Sequence, residues 1–112
     1  MSRTIKIGKL KIGGASPLVL IAGPCVIEGR QACLALAGRL AELARKQKIP
    51  FIFKASYDKA NRSSAKSYRG PGLGKGLQIL AEVKEKYGVP VLTDVHSVAE
   101  VGPVAAVVDV IQ

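Results

Sequence analysis

Ile5, Ile7, Leu10 and Ile12 alternate with Lys6 and Lys11 around Gly8-Lys9. Gly-X at the centre of such a pattern is the signature of a two-residue type II′ hairpin turn. A hairpin over residues 4–13 is therefore expected, closed by Gly13-Gly14. That turn sets Ile7 opposite Leu10 and Ile5 opposite Ile12, so all four share a face. Leu18 to Ala22 is a short apolar run stopped by Gly23-Pro24, which reads as a buried parallel strand.

From Arg30 to Gln47 the period changes. Cys33, Leu36, Leu40 and Leu43 recur at helical spacing, while Arg39, Glu42, Arg45 and Lys46 fall outside that stripe. Pro50 follows the end of this helix, and Phe51 to Ala55 reads as a second strand. A polar stretch from Ser56 to Gly72 comes next. Leu73, Leu77, Leu80 and Tyr87 mark a second helix, with Gly88 at its C-terminal cap. Val89 to Leu92 reads as a third strand. Ser97-Val98-Ala99-Glu100 has the form of a capping box, so a third helix is expected to start there, and Gly102-Pro103 should kink or shorten it. Val107 to Ile111 is a fourth strand.

Strands alternating with helices imply an α/β fold with a parallel sheet and right-handed crossovers. A doubly wound sheet and a barrel both fit. A full barrel needs about 250 residues, so the 112 residues are expected to supply about four strands and three helices of an incomplete barrel domain. In either fold the chemistry sits at the C-terminal strand ends. Here those ends are Gly23-Pro24-Cys25, Lys54-Ala55-Ser56, Thr93-Asp94-Val95-His96 and Gln112, and polar residues gather at each.

Composition narrows the choices. The hydrophobic fraction is 48%, which argues against disorder. Runs such as Pro17 to Ala22 are too short to span a bilayer. The N-terminal residues lack the pattern of an export signal, so the cytoplasm is the expected location. Cys25 and Cys33 make no disulfide framework there. The formal charge is +9, from 17 Lys and Arg against 8 Asp and Glu. Such a balance suits nucleic acid, an anionic membrane or anionic small substrates. Aromatics make up only 4% of the chain, which disfavours nucleic acid.

Lys54, Lys59, Arg62, Lys66 and Arg69 supply cationic donors between the second strand and the second helix; Ser56, Asn61, Ser63 and Ser64 supply neutral ones. Phosphates and carboxylates need this mixture, because charge attracts and shaped donors orient. A solvated basic loop is the alternative. Gly70-Pro71-Gly72-Leu73-Gly74-Lys75-Gly76 is not a phosphate-binding loop of the Walker type, since Lys75 is followed by Gly76 and the order of strand and loop is wrong. Cys25 is open to three readings: a small buried hydrophobe, a metal ligand or a nucleophile. Cys33 lies on the helical stripe and belongs to the core. His96, the single histidine, reads as a base, a ligand or a structural group. Asp94 is the better candidate for a functional carboxylate.

Several of these segments carry a resemblance. Ala22-Gly23-Pro24-Cys25-Val26-Ile27-Glu28 resembles the first-strand motif of synthases that join phosphoenolpyruvate to a sugar-phosphate aldehyde. Phe53-Lys54-Ala55-Ser56-Tyr57-Asp58-Lys59-Ala60-Asn61-Arg62-Ser63-Ser64 resembles the signature of the 3-deoxy-D-manno-octulosonate 8-phosphate synthases, with Tyr57 in place of the usual Phe. Ser67 to Leu73, Thr93 to His96 and Pro103 to Gln112 continue it in register.

The resemblance implies the N-terminal part of a (β/α)8 TIM barrel with a hairpin over its bottom. It implies condensation of phosphoenolpyruvate with arabinose 5-phosphate and water, yielding octulosonate 8-phosphate and phosphate for lipopolysaccharide, by a homotetramer. Lys54, Ser56 and Gln112 would meet phosphoenolpyruvate; Lys59, Asn61, Arg62 and Ser63 would hold the sugar phosphate; Asp94 would lie near the reacting carbons. Lys54, Lys59, Asn61 and Asp94 are thus the expected catalytic set. Cys25 marks the metal-dependent class and would ligate zinc, iron or manganese.

Ala65-Lys66, Gly29 and Ser97-Val98 depart from the usual Ile-His, Ser and Glu-Pro. An isolated four-strand part is expected to expose two strand edges and an apolar face, and to lack activity alone. Two other functions compete. The related heptulosonate 7-phosphate synthases resemble Lys-Pro-Arg-Thr-Ser after the second strand, which Lys59-Ala60-Asn61-Arg62-Ser63 does not match. A non-catalytic basic module binding RNA or an acidic partner is the other.

Overall fold

The computed structural model describes residues 3–59 and 68–112. Two strands, β1 (Ile5–Ile7) and β2 (Leu10–Ile12), form an antiparallel hairpin. Ile5 pairs with Ile12 and Ile7 with Leu10, the register that the Gly8-Lys9 turn requires. Gly8 has φ +59°, while Lys9 stays out of the left-handed region, as a type II′ turn demands.

The rest alternates strand and helix: β3 (Leu20–Ala22), α1 (Arg30–Gln47), β4 (Phe51–Lys54), α2 (Leu73–Tyr87), β5 (Val91–Thr93), α3 (Val98–Ala105) and β6 (Val110–Ile111). These four strands are parallel and lie in the order β3-β4-β5-β6. A doubly wound sheet reverses its strand order and carries helices on both faces. Here the order never reverses, and α1, α2 and α3 all contribute to one core cluster on one face, through Leu34, Leu80 and Val104 among others. Of the two folds left open by the pattern, this is the arrangement of consecutive units of a (β/α) barrel. Among the described residues, no helix is long and apolar enough to cross a membrane.

The pleat of β4 organises the core. Phe51, Phe53, Ala55 and Tyr57 point to the helices and join the cluster. Ile52, Lys54 and Ser56 alternate with them and face the other way. Phe53 and Ile52 are both fully buried. Burial on that scale contributes about 1.5–3 kcal/mol for each large apolar side chain, so β4, like the fully buried β5 beside it, is firmly anchored in the sheet.

Both long helices end as their sequences suggest. Gly88 adopts the left-handed conformation after α2 and donates to the Lys84 carbonyl. After α1 the same role falls to Lys48, at φ 56°, and the N–H groups of Lys48 and Ile49 cap the carbonyls of Arg45 and Ala44. A lysine tolerates that conformation less well than glycine would.

The structure corrects several expectations. In α1 the buried residues are Cys33, Leu34, Ala37 and Ala44, whereas Leu36 and Leu43 of the expected stripe are exposed. The helix turns its small residues inward, which permits close packing. A Cβ at Gly38 would lie 2.6 Å from the Tyr87 hydroxyl of α2. The β3 run is not buried: Leu18 is 93% exposed, and pairing starts only at Leu20. Among the described residues β3 has a neighbour on one side alone, and a parallel strand is covered only where both faces and both edges are. The fourth strand is shorter than its apolar run, because Val107 and Val108 both donate to the Val104 carbonyl and finish α3. The third strand starts after Pro90, which has no N–H to offer the ladder.

The third helix starts where the capping-box pattern placed it, but the box itself does not form. The Ser97 side chain makes no cap hydrogen bond, and Glu100 reaches back to the N–H of His96, one residue earlier than the motif specifies. Pro103 sits inside α3, which spans just 8 residues, so the expected shortening occurs.

Candidate active site

The C-terminal ends of β4 and β5 bring polar side chains together on the face opposite the helices. Lys54 pairs with Leu92 across the β4–β5 ladder, which places Ser56 beside Asp94 two residues further on. The Ser56 hydroxyl donates to Asp94 Oδ1 at 2.6 Å, and Lys59 Nζ donates to Ser56 Oγ at 2.9 Å. Ser56 is fully buried. The result is a relay, Lys59 to Ser56 to Asp94, running from a cation through a neutral hydroxyl to a carboxylate. A hydroxyl polarised from both ends has its rotor fixed.

Backbone geometry holds the relay. Gly23, at the end of β3, packs directly on the Lys54 carbonyl; a Cβ there would lie 1.7 Å from that oxygen. Thr93 Oγ1 donates to the Ala55 carbonyl at 2.7 Å, tying β5 to β4 just below the site. Gln112 continues the ladder past β6: its N–H donates to the Thr93 carbonyl at 3.0 Å, and its carbonyl accepts from Val95 at 3.3 Å. This puts Gln112 next to Asp94 in the row of strand ends.

A second group of contacts lies against the first. His96 Nε2 is 3.6 Å from Asp94 Oδ2, too far for a hydrogen bond, and that nitrogen is buried with no partner among the described residues. The His96 ring meets the Tyr57 ring edge-on at 5.4 Å. The Tyr57 hydroxyl donates to Glu100 Oε1, and the same oxygen accepts the N–H of His96 at 3.3 Å. Burial, and then the hydrogen bond to Glu100, push the Tyr57 phenol well above the usual tyrosine range.

The loop that follows β4 is pinned at its neck. Arg69 grips Asp58 with two parallel hydrogen bonds of 3.1 and 3.0 Å, the Lys59 N–H donates to the Arg69 carbonyl at 2.7 Å, and Gly72 donates to the Tyr57 carbonyl at 3.0 Å. Arg69, expected among the cationic donors, is therefore engaged with Asp58. Asn61, Arg62 and Ser63, expected to bind substrate, lie outside the described residues, as do Ser64 and Lys66.

Cys25 is exposed at the end of β3, beside a cleft of about 300 Å³ that Cys33 also lines. Cys33 is buried, and burial pushes its thiol up to about 11, in keeping with a core residue. Among the described residues no three His, Cys, Asp or Glu side chains cluster as a metal site. A cleft of about 700 Å³ lies at the opposite end, between the hairpin and the residues that precede the strands, including Pro50 and Pro90. Its position fits a hairpin covering the bottom of a barrel.

Of the expected residues, Ser56, Lys59 and Asp94 meet directly; Lys54 and Gln112 share their face. Reading the sequence missed the contact of Tyr57 with Glu100. The signal was present, since a hydroxyl added at a buried aromatic position must find an acceptor.

Comparison with known proteins agrees with this layout. The profile of the DAHP synthetase I family matches residues 3–112. The 2-dehydro-3-deoxyphosphooctonate aldolase of Geobacter metallireducens is 57% identical over 112 residues, covering 100% of this chain and 41% of that protein. That of Geotalea daltonii is 58% identical over the same span, again 41% of its length. That of Azoarcus sp. is 61% identical over 102 residues, or 91% of this chain and 37% of that protein. The chain thus spans about two-fifths of the length of the curated relatives it matches.

Tyr57 makes a testable prediction about alkaline stability. Its folded pKa lies above the unfolded value of 10.0. Below pH 10 both states keep the proton, and the stabilisation is complete. Above it the unfolded chain ionises first, so stability falls as pH rises. Denaturant melts of the intact protein at rising pH should show a loss beyond about pH 10 that is shallower in Tyr57→Phe; identical slopes would refute the assignment.

Proposed function

Because the chain belongs to the DAHP synthetase I family, we propose that its strand-end site serves the condensation of phosphoenolpyruvate with arabinose 5-phosphate and water. The product is 3-deoxy-D-manno-octulosonate 8-phosphate, the compound that the names of the matched aldolases denote, together with inorganic phosphate. The Lys59–Ser56–Asp94 relay is the observation that carries this reading. It stands at the strand ends where a barrel does its chemistry, inside the segment resembling the octulosonate synthase signature.

The reaction joins two anions, so a cationic site that offsets their repulsion and fixes their approach lowers the barrier. Lys54 and Ser56 bind phosphoenolpyruvate, with Gln112 beside it. Lys59, Asn61, Arg62 and Ser63 hold arabinose 5-phosphate by its phosphate and aldehyde end. C3 of phosphoenolpyruvate attacks the aldehyde carbon while water adds at C2; the hemiketal phosphate then collapses by C–O cleavage, releasing phosphate. Asp94 lies where it can hold a proton of the attacking water or of the new hydroxyl. Lys59, donating to Ser56, keeps that hydroxyl aimed at Asp94. We place the enzyme in the cytoplasm, as a homotetramer.

Cys25 is proposed as a thiolate ligand of a divalent transition metal, zinc, iron or manganese, in a barrel of the relatives' length. The described residues supply this one donor, and further ligands must join it. A bound ion would supply Lewis-acid polarisation; the steps above are written without it.

A second reading, synthesis of 3-deoxy-D-arabino-heptulosonate 7-phosphate, draws on the family description alone. Lys59-Ala60-Asn61-Arg62-Ser63 weighs against it. Phosphate release from phosphoenolpyruvate with arabinose 5-phosphate, and not with erythrose 4-phosphate, is the expected result for the full-length enzyme. The reverse preference would replace the first reading with the second.

Arg62→Ala should raise KM for arabinose 5-phosphate, since an Arg fork binds phosphate through paired charge-assisted hydrogen bonds. A loss of ~2 kcal/mol corresponds to roughly 30-fold in kcat/KM. An unchanged KM with intact kcat would remove Arg62 from the site. Stripping the enzyme with a strong chelator should abolish turnover, and zinc, iron or manganese should restore it. Full activity after verified metal removal would end the ligand role of Cys25, whatever its variants do.

A further inference from the structure

We propose that Glu100 is a positioning residue for the condensation, acting through the Tyr57 hydroxyl and the His96 backbone N–H on the Lys59–Ser56–Asp94 relay. The inference rests on the reading of that relay as the synthase site, and goes beyond it by adding a group that touches no substrate.

Glu100 lies in the first turn of α3, and one of its carboxylate oxygens receives two donors from two different strand-end loops. The Tyr57 hydroxyl belongs to the loop after β4, and the His96 N–H to the loop after β5. Each donor is a short covalent distance from a relay member: Tyr57 directly follows Ser56, and His96 is two residues past Asp94. The carboxylate therefore staples together the two peptides whose side chains must meet at 2.6 Å.

Tyr57 is held on its other sides as well. It is 1% exposed. Its Cβ occupies the space of the missing Cβ at Gly76 in α2, 2.3 Å from where that atom would be, and its carbonyl lies 2.4 Å from the equivalent point at Gly70. The ring cannot shift to find another acceptor without disturbing α2. Edge-on contact then sets the His96 imidazole against Asp94 Oδ2. Glu100 itself reaches Tyr57 from the helix side of the sheet, whereas Ser56 and Asp94 face the opposite side. It positions and does not react.

The test uses the full-length enzyme, assayed well below its melting temperature with phosphoenolpyruvate and arabinose 5-phosphate. Misplacement of reacting groups costs catalysis more than binding, so Glu100→Ala should lower kcat by about tenfold or more while both KM values stay within about threefold. In Glu100→Gln the amide oxygen can still accept a hydrogen bond, and kcat should return to within about threefold of wild type. Tyr57→Phe should lower kcat on its own and add little in the Glu100→Ala background, because the two act as one unit.

A purely structural role would lower the melting temperature of Glu100→Ala and leave its kcat unchanged; that result overturns the proposal. Should Glu100→Ala fail to fold, Tyr57→Phe and Glu100→Gln carry the test, and wild-type kcat in Tyr57→Phe overturns it equally. Absence of turnover in the wild-type enzyme with these substrates is a separate outcome. It defeats the synthase reading, and the proposal with it.

Discussion

A β-strand must send successive side chains to opposite faces, and the run from Phe51 to Tyr57 turns that constraint into a site. The odd positions, Phe51, Phe53, Ala55 and Tyr57, are consumed by the helices. The even positions, Ile52, Lys54 and Ser56, have only the other face left. Apolar burial thus fixes the direction of Lys54 and Ser56 before any polar contact forms. A register slip of one residue would bury Lys54 among the helices and take Phe53 out of their core. The cost of an unpaired buried ammonium makes that alternative inaccessible. The energy that orients the polar side chains comes from the core, and the hydrogen bonds of the site refine a geometry already set.

The excess of positive charge is compatible with folding because the acidic residues near the strand ends are placed with care. Asp58 is committed to Arg69, Glu100 to Tyr57 and His96, and Asp94 to Ser56. Each carboxylate accepts hydrogen bonds that hold it in one orientation. Exposed pairs such as Glu42 with Lys46 contribute little stability by contrast. At the strand ends an acidic side chain therefore orients a neighbour.

Much of this was legible in the sequence, and the exceptions share a cause. Helix limits were visible because caps and breakers are local: α1 spans the expected Arg30 to Gln47, and Gly88 ends α2. The hairpin register followed from its turn. Strand limits were less visible, because an apolar run says which residues avoid water and not which N–H groups find a ladder partner. Val107 and Val108 are apolar and yet close the turn that follows α3, both donating to the Val104 carbonyl. The buried stripe of α1 was misread because leucine weighs more than alanine in a hydrophobic pattern, whereas close packing on a sheet selects small residues such as Ala37 and Ala44. In the site, Ser56, Lys59 and Asp94 could be named from their positions at strand ends. Their mutual contact depends on the β4–β5 register, which no single segment contains. The barrel itself came from the resemblance, since alternation alone left a doubly wound sheet open.

Tyr57 shows how one atom connects these levels. The resemblance leads to Phe at this position, and a Phe would fill the same space between Gly70 and Gly76. Tyrosine adds a hydroxyl to a place that water does not reach. A buried hydroxyl without an acceptor costs about 1–3 kcal/mol, so the substitution is tolerable only where a partner already exists or arises with it. Glu100 is that partner, and taking the hydroxyl explains why the capping box of α3 is incomplete: the carboxylate that would have closed on the Ser97 N–H is drawn toward Tyr57 and His96 instead. The departure from the motif in one loop and the irregular cap in another are thus a single event. The same event fixes the start of the loop whose far end is held by Arg69 and Gly72. Of the described residues on either side of positions 60–67, Lys59 donates its N–H to the Arg69 carbonyl and Gly72 donates to the carbonyl of Tyr57 itself.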